Sequence, residues 1–183
     1  EETECLVHRS GVIVEFAKSI GVWNEDIGHA CVHPVDAICK MATRPFLAAH
    51  CQYLEANHYE LLRKTRASVV YCPRASAFFG HSHHPWKALL EHGVNVTLGT
   101  DSILCLDTPG RLTVLDDMRF LYRRGADLTT LLQMATVNGA RALGLDESLY
   151  KISKGKIAGL IHFSDANKQG VEAILNSCKF LAG

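Results

Sequence analysis

Three short, nearly unbroken apolar runs stand out along the chain: PFLAAHC at Pro45–Cys51, SVVYCP at Ser68–Pro73 and VNVTLGTD at Val94–Asp101. Continuous apolar character over so few residues is the pattern of parallel strands covered on both faces, because neither side of the pleat has to meet water. Between the runs the apolar positions bunch on one side at helical spacing. Glu55–Thr65 carries its cations near its end, where they suit the helix dipole, and Pro85–His92 opens on proline and stops before Gly93. Strand, helix, strand, helix, strand at roughly 25-residue spacing predicts βαβ units of a parallel sheet or barrel.

Upstream, Thr3–Gly21 predicts a helix interrupted near Ser10 and Gly11, followed by a loop and a short helix over Pro34–Ala42. Downstream, Leu112–Arg123 and Leu128–Leu143 predict two more helices. After Gly144 the pattern changes to short strands and turns. The expected organisation is an α/β domain over 1–149 and the strands of a small β domain over 150–183.

Composition narrows the class. The 183 residues have a formal net charge of zero and form no basic cluster, which argues against nucleic acid or an anionic membrane as partner. No apolar stretch approaches the roughly 20 residues that span a bilayer. The charged opening EETECLVHRS is not signal-like, so the expected location is cytoplasmic. The seven cysteines are odd in number and scattered through apolar surroundings, as expected of reduced, buried thiols.

Chemistry concentrates at the carboxyl ends of the runs, where barrels and open α/β sheets keep their active sites. The first run ends in His50 and the third in Asp101. An imidazole and a carboxylate on one face could converge on a metal ion or an activated water. A hydrogen-bonded histidine and a helix-capping aspartate fit the same spacing. Arg74, His81 and His84 lie in the segment after the second run, and loops at that face select substrates. Arg74 could clamp an anionic or carbonyl group and His81 could bond a substrate edge; plain loop packing is the alternative for all three. The histidines elsewhere carry no such placement.

The words AAHCQYL, ASVVYCPRASAFFGH and HPWKALLEHGVNVTLGTDS, followed by GARALGLDESLYKISKGKIAGLI, resemble in order and spacing the amidohydrolase superfamily. The branch they resemble holds cytosine, guanine and S-adenosylhomocysteine deaminases and chlorohydrolases. The resemblance implies the C-terminal half of a (β/α)8 metal-dependent hydrolase barrel with a β-sandwich remnant, the three runs being strands six, seven and eight. Asp101 would then bind the metal and take the proton of the attacking water. His50 would contact that water or the substrate, and in some members the metal. The family's fifth strand carries His-x-x-Glu, whose glutamate passes a proton to the substrate ring; Glu1 matches it in one alignment and Glu2 in the other. Gly159 stands where the family's turn usually has aspartate.

A complete barrel takes about 250 residues. The remaining metal ligands of such a site are therefore expected outside this sequence, and the chain by itself is expected to be inactive. The implied function is hydrolysis of a carbon–nitrogen bond, deaminating an aminated purine, pyrimidine or nucleoside-like ring. The implied cofactor is one divalent ion: zinc first, with iron or manganese as alternatives. The implied partners are a small-molecule substrate and, for the full-length protein, further copies of itself. The alternative is a non-catalytic half-barrel that binds a partner protein or serves as a scaffold.

Overall fold

The computed structural model describes residues 1–26, 32–108, 110–151, 154–156 and 175. Its centre is a three-stranded parallel sheet in the order β1 (Leu47–Ala49), β2 (Ser68–Tyr71) and β3 (Asn95–Leu98). Each predicted run supplies one strand, and the register places Leu47 beside Ser68 and Ser68 beside Asn95. Helices fill the connections, as parallel neighbours require. They are α1 (Val12–Ser19), α2 (Pro34–Met41), α3 (Ala56–Lys64), α4 (Pro73–Phe78), α5 (Trp86–Glu91), α6 (Val114–Tyr122), α7 (Leu128–Ala135) and α8 (Val137–Ala142).

The break expected near Ser10 and Gly11 is present. A π-helical turn over Glu4–His8 ends on Arg9 at φ 52°, and Gly11 at φ 89° starts α1 afresh. Two expectations are corrected. The segment carrying Arg74 is α4, whose proline in the first turn fits a helix start, and not an irregular loop. The helix expected over Leu128–Leu143 is two helices joined at Thr136 (φ −126°, ψ −85°). At that joint the Met134 carbonyl accepts from Thr97 Oγ1 at 2.8 Å, and Asn138 Nδ2 donates to the Val96 carbonyl at 2.9 Å. Bonding to β3 replaces bonding along the helix.

The core joins β2 and β3 to the helices. Leu62 of α3, Leu89 of α5, Leu131 and Met134 of α7, Val69 and Val96 are fully buried in one cluster. A second, small cluster of Cys72, Ala75 and Cys105 packs beside Val70. Strand β1 differs: Leu47 is half exposed, and among the described residues β1 is hydrogen-bonded to β2 alone. The strands expected over 150–183 lie almost wholly outside the described residues; Leu175, which is described, has helical backbone and is buried in the main core. No helix among the described residues is long and apolar enough to cross a membrane.

Candidate functional site

The sheet's hydrogen bonding runs on past the strands to its carboxyl rim, where the His50 N–H donates to the Val70 carbonyl and the Gly99 N–H to the Tyr71 carbonyl, both at 2.9 Å. Gly99 is required there: a Cβ would stand 2.7 Å from Val70 Cγ1 and 3.0 Å from Cys72 Sγ. Immediately beyond, the backbone turns sharply. His50 (φ 63°), Cys51 (φ 52°) and Asp101 (φ 58°) are left-handed, a conformation that residues with a Cβ adopt rarely and that gathers at functional sites.

These turns aim two side chains at each other. His50 Nε2 lies 3.7 Å from Asp101 Oδ2, with the two side chains 49% and 31% exposed, so the pair is open to solvent from one side. Asp101 is split in function: Oδ1 accepts from the Ser102 N–H at 2.8 Å, which leaves Oδ2 to face His50. Two ligands each about 2.1 Å from one tetrahedral ion stand about 3.4 Å apart, so this separation suits donors that share a metal. Among the described residues no group of three or more His, Cys, Asp or Glu is arranged to hold a metal ion. The pair fits part of a ligand set.

His84, expected among the substrate-binding residues, is placed against the backbone of this pair. Its ring is buried, stacks on Tyr71 at 3.8 Å between centroids, and places Nε2 within hydrogen-bonding distance of the His50 carbonyl. A carbonyl only accepts, so Nε2 carries the proton; among the described residues the buried Nδ1 has no hydrogen-bond partner. Burial pushes the His84 pKa down to about 4, so the ring is neutral at physiological pH.

Arg74 also turns inward. Its side chain is 4% exposed, and each of its three guanidinium nitrogens donates within the chain. Nε and Nη2 meet Asp117 Oδ2 at 3.2 Å, while Nη1 meets Asp107 Oδ1 at 3.0 Å and Thr108 Oγ1 at 2.8 Å. The guanidinium expected to clamp substrate is here engaged inside the chain by Asp117, Asp107 and Thr108. Burial alone would lower the Arg74 pKa, but the hydrogen bonds to Asp117 outweigh it and the guanidinium stays charged. Burial pushes the Asp117 carboxyl up, yet a group accepting from the Arg74 backbone N–H, Nε and Nη2 is the ionised form.

His81 remains on the surface side, its Nδ1 2.8 Å from the Tyr53 hydroxyl. Tyr53 was not anticipated; an aromatic residue three positions past a rim histidine was the signal. Cys72 was not anticipated either: its thiol sits under Asp101, where burial first and the Asp101 charge second push it up to about 12. Glu1 and Glu2 are exposed at the first positions, and the structure forms no hydrogen bond between them and the His50–Asp101 pair.

The sequence model of the amidohydrolase family matches residues 8–180. The chain belongs to the amidohydrolase family. Within it, the chain is 35% identical over 126 residues to a 5-methylthioadenosine/S-adenosylhomocysteine deaminase of Moorella thermoacetica, covering 64% of this chain and 29% of that protein. It is 30% identical over 158 residues to a 5'-deoxyadenosine deaminase of Methanosarcina acetivorans, covering 80% and 36%. The chain thus spans about a third of the length of the curated relatives it matches. Among solved structures, an adenosine deaminase of Xanthomonas campestris with bound zinc superimposes with a TM-score of 0.65 at 24% identity, over 83% of this chain and 37% of that one. That likeness shows a shared α/β fold for this amidohydrolase chain.

Proposed function

We propose that the full-length protein is a metal-dependent hydrolase that deaminates an aminated nitrogen heterocycle of purine, pyrimidine or nucleoside type. The observation that carries this reading is the His50–Asp101 pair, 3.7 Å apart at the ends of parallel strands. Support comes from the deaminases among its relatives. His50 and Asp101 would hold a divalent ion, zinc or alternatively iron or manganese, with further ligands from residues outside those described. Such an ion acidifies water toward a pKa of about 7 and polarises the electrophilic carbon.

The chain's own residues then divide the proton work. Asp101 Oδ2 accepts the proton of the attacking water, while Oδ1 stays anchored to the Ser102 N–H. His50, its backbone held by His84, orients that water. Glu1 or Glu2 delivers a proton to the ring nitrogen as the water oxygen bonds to the ring carbon. The proton held by Asp101 passes to the amino group, the carbon–nitrogen bond breaks, ammonia leaves, and the new hydroxyl returns its proton to the glutamate. His81 and Tyr53 form the side of the rim where a heterocycle would lie.

The test uses the full-length protein. Wild type should carry a stoichiometric divalent metal and release ammonia from an adenosine-type or guanine-type compound. Asp101→Asn should lower kcat by about 10²- to 10⁴-fold, the range of a lost general base. An Asp101→Asn protein with full activity would end this assignment.

A further inference from the structure

Arg74 emerges from the end of β2 on the first turn of α4, within a few residues of the rim, yet it has no free face toward solvent. Its two arms reach different parts of the chain. One arm grips Asp117, fully buried on α6; the other grips Asp107 and Thr108, in the loop that leaves Asp101. We infer that Arg74 is a positioning residue, a brace that fixes the 102–108 loop and through it the orientation of Asp101.

The loop is held at three points. Ser102 bonds Asp101 Oδ1, Cys105 is packed against Cys72 and Ala75, and Asp107 with Thr108 takes the Nη1 arm. Cys72 and Ala75 flank Arg74 in sequence, so the same turn of chain that carries the brace also supplies the packing. Without the Nη1 arm, the loop's far end would lose its link to α4, keeping the packing of Cys105 and the local bonds between Thr108 and Arg111. Arginine is the side chain for this task because its planar fork presents donors in separate directions at once; a single ammonium cannot span Asp117 and Asp107.

Charge balance makes the arrangement tolerable in the interior. Asp116 takes Arg111 at 2.7 Å and Arg119 at 2.9 Å and lies 3.9 Å from Arg74. Three guanidinium groups, of Arg74, Arg111 and Arg119, thus face three carboxylates, of Asp107, Asp116 and Asp117. Paired and hydrogen-bonded throughout, the cluster avoids the heavy cost of a lone buried charge. A ligand-binding role would have left one arm of Arg74 exposed.

This inference rests on the reading of Asp101 as the proton acceptor, and the test separates the two. Removing Arg74 outright would strand Asp117, so the informative change is at the exposed end: Asp107→Asn with Thr108→Val, made in the full-length protein. The expected result is a kcat lower by about ten- to hundred-fold, as for a small misplacement of a reacting group. KM should stay within about twofold and the melting temperature near wild type, since this end of the brace is largely exposed. Amide exchange over 102–112 should quicken. Arg74→Lys, which keeps one arm only, should reproduce the kcat loss. Unchanged kcat or unchanged exchange in the double variant would overturn the brace, as would a rise in KM alone, which would mark a substrate contact. If Asp101→Asn is fully active, the site assignment fails, while the exchange measurement still judges the brace.

Discussion

Between Val69 and Val96 in the body of the sheet and His50 and Asp101 at its carboxyl rim, the chain changes character within a few residues. The body is relaxed and dry: both valines are fully buried, their strands pair in register, and the surrounding side chains are apolar. The rim is polar and half exposed, with three consecutive or facing residues of non-glycine type in left-handed backbone. Left-handed backbone costs on the order of 1 kcal/mol per residue or more and persists only where the surroundings enforce it. Here the enforcing contacts are visible: the His84 ring under His50, and Cys72 with the Ser102 N–H at Asp101. The body supplies stability, and the rim spends part of it on holding two side chains face to face.

That contrast can be broken at four places. Leu131→Ala, in the body, should cost about 2–5 kcal/mol, the range for a large core truncation, read by denaturant unfolding. A loss below 1 kcal/mol would mean the core is looser than its burial implies. Gly99→Ala sits at the border, where the added methyl meets Val70 and Cys72; overpacking should cost about 1–3 kcal/mol and lower kcat as well. A stability loss with kcat untouched would separate border from rim.

The third prediction concerns pH. His84 has its pKa lowered from 6.5 to about 4 in the fold, so the native state binds fewer protons than the unfolded chain between those values. Stability from this group is complete above 6.5 and is lost as pH falls toward 4. Melting temperature should therefore fall less steeply over that window in His84→Gln than in wild type; parallel slopes would remove His84 from the account. The smallest effect is expected from Asp101→Gly. Glycine accepts the φ of 58° without strain, so stability should stay within about 1 kcal/mol of wild type or rise slightly, although activity is lost. A clear destabilisation would show that the Asp101 carboxylate holds the turn together.

The sheet was legible because each of its strands is an apolar run too short to be a helix and bounded by turn residues. His50 and Asp101 were legible by position, at the ends of the first and third runs. What could not be read was the direction of long side chains. Arg74 and His84 occupy loop-like sequence, and only the tertiary structure shows one bent back onto α6 and the other stacked on Tyr71. The break at Thr136 was hidden for the same reason: the groups that capture the Met134 carbonyl and the Asn138 side chain lie on β3, about forty residues away.

Among the described residues no strand pairs with the side of β1 away from β2, which has its own consequence for whatever lies beside it. Alternate residues of a parallel strand address opposite neighbours, and Phe46 and His50 address β2. The Leu47 N–H and carbonyl and the Ala49 N–H accordingly turn outward, next to the half-exposed Leu47 side chain, while the Ala49 carbonyl accepts from the Cys51 N–H at 2.9 Å. A helix laid over that edge would cover the leucine and leave the peptide donors and acceptors unsatisfied. Only extended backbone meets both demands, so the seat next to β1 is shaped for a strand, and any stray peptide able to extend there would find a template waiting.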